Sequence, residues 1–240
     1  MYQHLDCICL RIVKVSDKRD LMSAWTRQCG RLSFSIPSGA SRQARMRRAL
    51  LSPLSTFEAE CELRPDRDIH SLRDIHPGES SLAILSSPAK NLIAIFLSEF
   101  LDLLLRRSEP DSALSDFLFS SVNTLATDST NKLCGIFHII FLYRLTHYIG
   151  VEPDNDAYTE GAVFDLREGI FRNTPPLHPD FLSGDLCRLF AGLATADYDN
   201  PPHTTRQQRA DLLDALLKYY SIHLMSFSSL KSLDILRDMA

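Results

Sequence analysis

The residues with the clearest chemical potential are basic side chains concentrated near the start of the chain. Residues 8–48 contain ten lysines and arginines but only two aspartates, a net charge of +8 over 41 residues, whereas the whole chain carries −4. Clustered ammonium and guanidinium groups neutralise phosphates, so this asymmetry predicts that one part of the chain meets a polyanion. The alternative is that these charges keep a small domain soluble. The candidate phosphate contacts are Lys18, Arg19, Arg31, Arg42, Arg45, Arg47 and Arg48.

No catalytic, cofactor or metal site can be read from the other residue types. Cys7 and Cys9 have the spacing of residues on one face of a strand, so we expect them to be small core residues. The sequence contains no Cys-x-x-Cys pair that could bind zinc. His70 and His76 match no common metal spacing, so we expect solvated or capping roles for them, and His138 reads as a core histidine. Gly-x-Ser-x-Gly, Walker and Gly-x-Gly-x-x-Gly motifs are absent from the sequence. We therefore expect no enzymatic activity, cofactor or bound metal.

Short alternating segments in the first 75 residues predict β-strands. Residues 7–13, 21–26, 31–36, 54–63 and 69–75 are apolar or alternate with period two, and turn residues separate them. In residues 31–36 the alternation places Leu32, Phe34 and Ile36 on one face. Trp25 and Phe34 are expected in the core rather than as platforms for base stacking. Five short strands of this spacing suit a small closed barrel of the oligonucleotide/oligosaccharide-binding (OB) type.

The pattern changes to a helical period after residue 78. Residues 91–105 predict a helix with apolar side chains on nearly every side. Residues 111–125 and 132–149 predict two more helices. The clearest amphipathic helix follows Pro201-Pro202, with Thr204 or Thr205 as its cap. Its expected inner stripe is Leu212, Leu213, Leu216, Leu217, Tyr220 and Leu224.

These patterns predict an α+β chain with two domains. Residues 1–78 form a basic OB barrel, and residues 79–240 form an all-helical domain. Apolar stretches are shorter than the ~20 residues that a membrane-spanning helix needs, and the N-terminus does not read as a signal peptide. We expect a cytoplasmic protein without membrane contact.

Three local motifs resemble those of the bacterial RecO family of DNA repair proteins. They are Ser-Asp-Lys-Arg-Asp-Leu with Trp-Thr-Arg-Gln-Cys-Gly-Arg at 16–21 and 25–31, the basic Ser-Gly-Ala-Ser-Arg loop at 38–42 running into 45–54, and the C-terminal pair 223–224 and 230–233. Their order and spacing cover almost the full length. Many members carry two Cys-x-x-Cys pairs in a zinc-binding insert, but residues 151–186 of this chain contain no cysteine. Residues 163–171 resemble the hairpin that remains of this insert, which the resemblance places at about 151–175 and which we expect to be held by packing rather than by metal.

The resemblance implies a recombination mediator that associates with the nucleoid during repair. Such proteins bind single- and double-stranded DNA, promote strand annealing and help to load RecA recombinase together with RecR and, in some organisms, RecF. The resemblance also implies a groove for the acidic C-terminal tail of single-strand-binding protein, for which Arg144 beside Phe141 and Tyr148 is one place to look. The alternative function is a protein–protein adaptor that docks RecR or single-strand-binding protein and contacts DNA only incidentally. A hydrolase whose site the linear sequence does not reveal is a third, weaker alternative.

Overall fold

The computed structural model describes residues 2–39, 50–64, 66–78, 80–130, 132–227 and 229–239. Within this part of the chain, no helix combines the length and the apolar character needed to cross a membrane. Contacts divide the chain into two compact units, residues 1–131 and 132–240. Each unit is described separately below.

The first unit begins with a closed five-stranded barrel, which confirms the prediction. The strands are β1 (Tyr2–Lys14), β2 (Arg19–Thr26), β3 (Gly30–Pro37), β4 (Thr56–Glu62) and β5 (Ile69–Pro77). Their order around the barrel is β1-β2-β3-β5-β4, and β3 pairs with β5 in parallel while the other neighbours are antiparallel. This is the topology of an OB barrel. Strand β1 begins earlier than its apolar run suggested because Tyr2 and the polar residues after it pair with β4.

The barrel interior is built from the alternating positions of its strands. Cys7 and Cys9 lie in this core, as predicted, and burial raises the pKa of the Cys9 thiol to about 12, which keeps it protonated and inert. The predicted face of β3 also turns inward: Phe34 and Ile36 are buried, and Leu32 packs against them. The sequence pattern therefore determines which side of each strand is inside.

Strand β1 is buried on both faces over part of its length. Ile8 and Leu10, which alternate with the core cysteines, are also buried, and helix α2 (Pro88–Leu104) packs against this strand. Trp25 on β2 donates from its indole nitrogen to Ser115 Oγ at 3.0 Å. The barrel thus has apolar residues on part of its outer face, and these residues must be buried against other elements. That need explains why the first compact unit extends beyond the last strand of the barrel, where the sequence had suggested a domain boundary.

After the barrel, the described residues of the first unit form the helices α1 (Ser80–Leu85), α2, which a 3₁₀ turn at Leu105–Arg107 follows, and α3 (Ser112–Thr127). Asp111 caps α3 by accepting a hydrogen bond from the Leu114 amide at 2.7 Å. At the other end of α3, the buried Lys90 of α2 donates from Nζ to the Ala126 carbonyl at 2.9 Å. The lysine satisfies one of the carbonyls that a helix C-terminus leaves unpaired.

The second unit combines helices with a small sheet. Its elements are α4 (Phe137–Tyr148), β6 (Val163–Asp165), β7 (Ile170–Arg172), β8 (Phe181–Leu182), α5 (Gly184–Gly192), a 3₁₀ turn at Leu193–Thr195, α6 (Arg206–His223) and α7 (Ser232–Met239). The sheet order is β7-β6-β8. Helices α5 and α7 were not anticipated from the sequence, because each is short and its apolar pattern is brief. Helix α4 begins at Phe137, later than expected, because residues 133–136 form turns.

The predicted amphipathic helix is α6, and Thr205 is its cap. Thr205 Oγ1 accepts from the Gln208 amide while the Gln208 side chain accepts from the Thr205 amide, a complete capping box. The predicted inner stripe is buried through Tyr220, whose hydroxyl donates to the Leu142 carbonyl of α4 at 2.7 Å. The expectation for Leu224 was wrong: the helix ends at His223, and Leu224 is 42% exposed.

Candidate nucleic-acid interface

The β1–β2 turn carries two of the predicted phosphate contacts, Lys18 and Arg19. Both side chains are exposed, and Ser16 holds the turn by accepting the backbone amides of Lys18 and Arg19 on its hydroxyl at 3.3 and 3.1 Å. Lys14 forms an ion pair with Asp17 across the same turn at 2.9 Å. The local sequence therefore builds a short turn that presents cations to solvent and fixes the backbone beneath them.

The residues that flank the basic segment 40–49 are anchored at two places, one at this turn and one on strand β1. Arg42, Arg45, Arg47 and Arg48 themselves lie outside the described residues. Before them, the Ser38 amide donates to the Lys18 carbonyl at 2.9 Å. After them, Cys9 Sγ donates to the Leu51 carbonyl at 3.3 Å, and the Leu54 amide donates to the Cys9 carbonyl at 2.8 Å. The flanking residues are thus held at the β1–β2 turn and on strand β1.

A groove of about 420 Å³ runs along β1 near the second anchor. It is lined by residues 9–12, 14, 20 and 51–53. Arg11 and Lys14 supply cations to its wall, and both are exposed. These two residues belong to the ten basic residues of positions 8–48 but are not among the predicted phosphate contacts. Their position on the strand that leads into the cationic turn was the signal that could have identified them.

Arg31 has a different environment from Lys18 and Arg19. Its side chain is only 17% exposed, and its Nε and Nη2 atoms lie 3.0 and 2.7 Å from Oδ1 of Asp102, which is 4% exposed. Ser23 donates to the same carboxylate oxygen at 2.7 Å, and Arg11 Nη1 lies 3.9 Å from the other oxygen. Arg31 therefore joins the barrel to helix α2 through a nearly buried ion pair.

The aromatic residues of strands β2 and β3 do not form a platform for bases. Trp25 and Phe34 are fully buried, as expected for core residues. The barrel does present another aromatic ring, that of Tyr2, which is 43% exposed at the start of β1. Arg73 lies over this ring with its guanidinium carbon 4.9 Å from the ring centre. A terminal residue in a polar stretch gave no signal in the sequence analysis.

The histidines occupy varied environments. His76 is exposed, whereas His70 is buried with its ring centre 6.5 Å from that of Phe34. His138 lies in the core, where burial and the charge of Arg209 lower its pKa to about 4 and keep it neutral near pH 7. This placement agrees with the expectation of a core histidine.

Among the described residues, His4, Asp6 and Glu58 bring donor atoms within 4.8 Å of one another on β1 and β4. The His4 Nε2 atom lies 3.6 Å from Asp6 and 3.8 Å from Glu58. His4 and Glu58 are exposed, and Gln28 donates to the second Asp6 oxygen at 2.9 Å. Exposed acidic groups commonly cluster without an ion, so this arrangement alone does not assign a metal site.

In the second unit, strands β6 and β7 form the expected hairpin. The buried Asp165 ends β6 and accepts from the amides of Arg167 and Glu168 at 3.0 and 3.2 Å. Arg172 Nε and His178 Nε2 lie 3.0 and 3.4 Å from its two oxygens. Together with the packing of Phe164 and Phe171, whose ring centres are 4.8 Å apart, these contacts hold the hairpin through protein groups.

A second groove of about 340 Å³ surrounds Arg144 in the second unit. Residues 143, 144, 147, 148, 152 and 194–197 line it. Arg144 lies over the ring of Tyr198 at 5.7 Å, and His147 bonds Glu152 at 2.6 Å. Because Glu152 and Asp197 both contribute carboxylates, the groove is not selectively cationic. We therefore do not assign an acidic tail to it.

A closed five-stranded barrel of OB order with a cationic β1–β2 turn, followed by a helical region, defines the class of this protein: an OB-barrel protein with a helical C-terminal part. Comparison with known proteins specifies the family. Residues 85–234 match the family model described as "Recombination protein O C terminal".

Relatives match along almost the whole chain, including the barrel. A "DNA repair protein RecO" of Phocaeicola vulgatus is 30% identical over 241 residues, covering 100% of this chain and 99% of the relative. One from Porphyromonas gingivalis is 32% identical over 237 residues and covers 95% of each chain. One from Azobacteroides pseudotrichonymphae is 29% identical over 234 residues, covering 97% of this chain and 96% of the relative. The chain belongs to the RecO family.

Proposed function

We propose that this chain acts in DNA repair as a recombination mediator and not as an enzyme. It binds single- and double-stranded DNA through the basic side of its barrel and promotes annealing of complementary strands. With RecR, it helps to load RecA recombinase. The site of this work is the cytoplasm, at the nucleoid. The family assignment and the names of the relatives support the repair role.

The observation that carries the DNA-binding proposal is the anchoring of the basic segment beside a cationic turn. The hydrogen bond from the Ser38 amide to the Lys18 carbonyl ties the start of that segment to the β1–β2 turn. Lys18 and Arg19 are exposed there, and four further arginines follow within ten residues of Ser38. Cations concentrated in one stretch of the sequence release counterions when they neutralise phosphates.

Binding of this kind depends on charge rather than on base identity. Trp25 and Phe34 are buried, so they provide no stacking surface on β2 and β3. Phosphate contacts dominate in such a case, and they carry no sequence information. A protein that brings together any two complementary strands needs this tolerance, and its affinity falls steeply with salt.

The proposed protein partners are RecR, the C-terminal tail of single-strand-binding protein and, in some organisms, RecF. These partners follow from membership of the family rather than from a described surface. The adaptor function stays the alternative, in which docking of RecR or single-strand-binding protein is the main activity. It makes a different prediction from the mediator function, because it does not require the basic segment to bind DNA.

The decisive experiment is fluorescence anisotropy of the whole protein on labelled single- and double-stranded oligonucleotides across a range of salt concentrations. Contact with about five phosphates predicts a log–log salt slope of about −3 to −4 on single strands. The test variant carries Arg45→Glu, Arg47→Glu and Arg48→Glu. It is expected to lose most single-strand affinity and most of the slope.

A matched control makes an equal change in net charge at a different place, in the second unit. Arg188→Glu, Arg206→Glu and Arg237→Glu reverse three exposed arginines of the second unit, and this control is expected to bind DNA like the original protein. Equal losses in both triple variants would mean that net charge, and not the basic segment, governs binding. Absence of binding by the original protein at low salt would contradict the mediator function and favour the adaptor, which pull-down with RecR would then test.

A further inference from the structure

A second cationic pocket lies at the other end of strand β1 from the β1–β2 turn. It has a volume of about 180 Å³ and is formed where β4 leads into β5. The strand register explains its position, because Tyr2 at the start of β1 pairs with Glu62 at the end of β4. The residues that line it are Tyr2, Glu62, Arg64, Arg67, Ile69, His70, Ser71 and Arg73.

Three arginines dominate the charge of this pocket. Arg64, Arg67 and Arg73 are all exposed, and Glu62 is the one carboxylate among the lining residues. Arg64 Nη2 lies 2.9 Å from Glu62, and this contact lowers the pKa of the Glu62 carboxyl. The lining therefore carries a formal charge of +2. Asp66, outside the lining, also acts on Arg64 through its charge.

The pocket combines these cations with an exposed ring and with spare hydrogen-bonding capacity. Tyr2 offers an aromatic surface beside Arg73, and Ile69 is an exposed apolar neighbour. His70 is buried, and its Nδ1 atom makes no hydrogen bond within the described structure. Arg67 forms no side-chain hydrogen bond or ion pair with the described residues, so its five donors are available to a ligand.

This combination fits a single nucleic-acid strand better than an acidic protein segment. A guanidinium group matches both phosphate and carboxylate, so the arginines alone do not decide between them. The exposed ring of Tyr2 favours a nucleic-acid strand, because bases stack on aromatic rings at single-strand sites. An acidic peptide has no flat surface that could stack on this ring. A pocket of this size holds one phosphate group while the rest of the strand continues outside.

We propose that this arginine pocket holds the backbone of a second DNA strand, separate from the strand bound at the β1–β2 turn and basic segment. The proposal rests on the proposed function and deepens it, because a protein that anneals strands must hold two of them at once. The first strand lies on the Lys18 side of the barrel. The second is held by Arg64, Arg67 and Arg73, with a base on Tyr2.

The test measures whether one protein preparation bridges two strands that cannot pair. Donor-labelled and acceptor-labelled oligothymidylates are mixed with the whole protein, and energy transfer between them reports bridging, while anisotropy of each strand reports binding of the first. The variant Arg64→Ala, Arg67→Ala, Arg73→Ala is expected to keep first-strand anisotropy. Its bridging should weaken by about tenfold or more, the equivalent of one charge-assisted hydrogen bond.

A second variant keeps the test informative even if the triple variant does not fold. Glu62→Gln removes the one carboxylate of the lining and releases Arg64 from its ion pair, so bridging is expected to become stronger. Sedimentation confirms that the variants share the oligomeric state of the original protein. Arg188→Ala, a change at an exposed arginine of helix α5, serves as the control and should change neither readout.

The outcomes separate the two proposals. First-strand binding without energy transfer in the original protein would overturn the second-strand pocket and leave the proposed function intact. Unchanged bridging in the Arg triple variant, or unchanged bridging in Glu62→Gln, would also overturn it. Displacement of the second strand by polyglutamate at lower concentration than by unlabelled oligothymidylate would reassign the pocket to an acidic protein segment. Absence of all strand binding would instead refute the proposed function.

Discussion

The position of Arg31 leads to a prediction that separates a structural cation from a DNA contact. Its Nε and Nη2 atoms both approach one oxygen of Asp102, whose side chain is 4% exposed. The substitution Arg31→Ala leaves that carboxylate with Ser23 at 2.7 Å and with Arg11 at 3.9 Å. A nearly buried charge that loses its main partner is strongly destabilising.

The magnitude follows from this geometry. Removal of one partner of a buried pair costs about 3–5 kcal/mol, and we expect a loss of about 3 kcal/mol because Ser23 and Arg11 compensate in part. For a chain of this size that loss corresponds to roughly 6–12 °C in Tm. Arg31→Lys keeps the charge but lacks the planar fork, so it is expected to destabilise the protein as well.

The assay combines urea unfolding with anisotropy on a single strand at a temperature where every variant is folded. Arg31→Ala should lower the free energy of unfolding and leave the salt slope unchanged. Lys18→Ala is the matched control with the opposite pattern: an unchanged free energy of unfolding and a slope shallower by about 0.7, the contribution of one phosphate on a single strand. An Arg31→Ala variant with native stability and a shallower slope would refute the structural role.

Two further predictions concern the second unit. His138→Gln should remove a pH dependence of stability. Folding lowers the pKa of His138 from 6.5 to about 4, so the unfolded chain takes up the proton first as the pH falls. The original protein is therefore expected to lose up to about 3 kcal/mol of stability relative to the variant between pH 6.5 and pH 4. Urea unfolding across that range measures the difference, and parallel curves for the two proteins would contradict it. Gly169→Ala should lower the free energy of unfolding by about 2–3 kcal/mol. One cause is backbone strain, because φ of Gly169 is +72°. The other is a clash, because the added Cβ would lie 2.7 Å from the Tyr219 hydroxyl, which donates a hydrogen bond to the Val151 carbonyl. Gly161→Ala, with φ of +85° and no atom within 4 Å, should cost only about 1–2 kcal/mol, and equal losses would exclude the steric contribution.

Local patterns were sufficient to predict the strands and the main helices. Period-two alternation identified the inward face of β3, and Pro201-Pro202 followed by Thr204 or Thr205 as a cap indicated the start of α6. These features depend on residues close together in the chain, so sequence reasoning reaches them. The short helices α5 and α7 did not emerge in the same way, because each has too few residues to establish a period.

The same limit applies to the candidate site. The charge of the basic region can be counted from the sequence, and so can its contrast with the acidic remainder. The sequence could not show that Arg31 meets Asp102, since 71 residues separate them along the chain. Nor could it show that Tyr2 joins three arginines more than sixty residues away, because that neighbourhood arises from the pairing of β1 with β4.

The amino-acid sequence by itself therefore determined the barrel followed by helices, the family resemblance and the region of positive charge. The tertiary structure decided which cations face solvent and which stabilise the fold. The physical reason is that a charge acts on whatever lies within a few ångströms of it, and those neighbours are set by the closure of the barrel and the packing of α2 against it. Lys18 at a turn stays available to a phosphate, whereas Arg31 on a covered strand is held by Asp102.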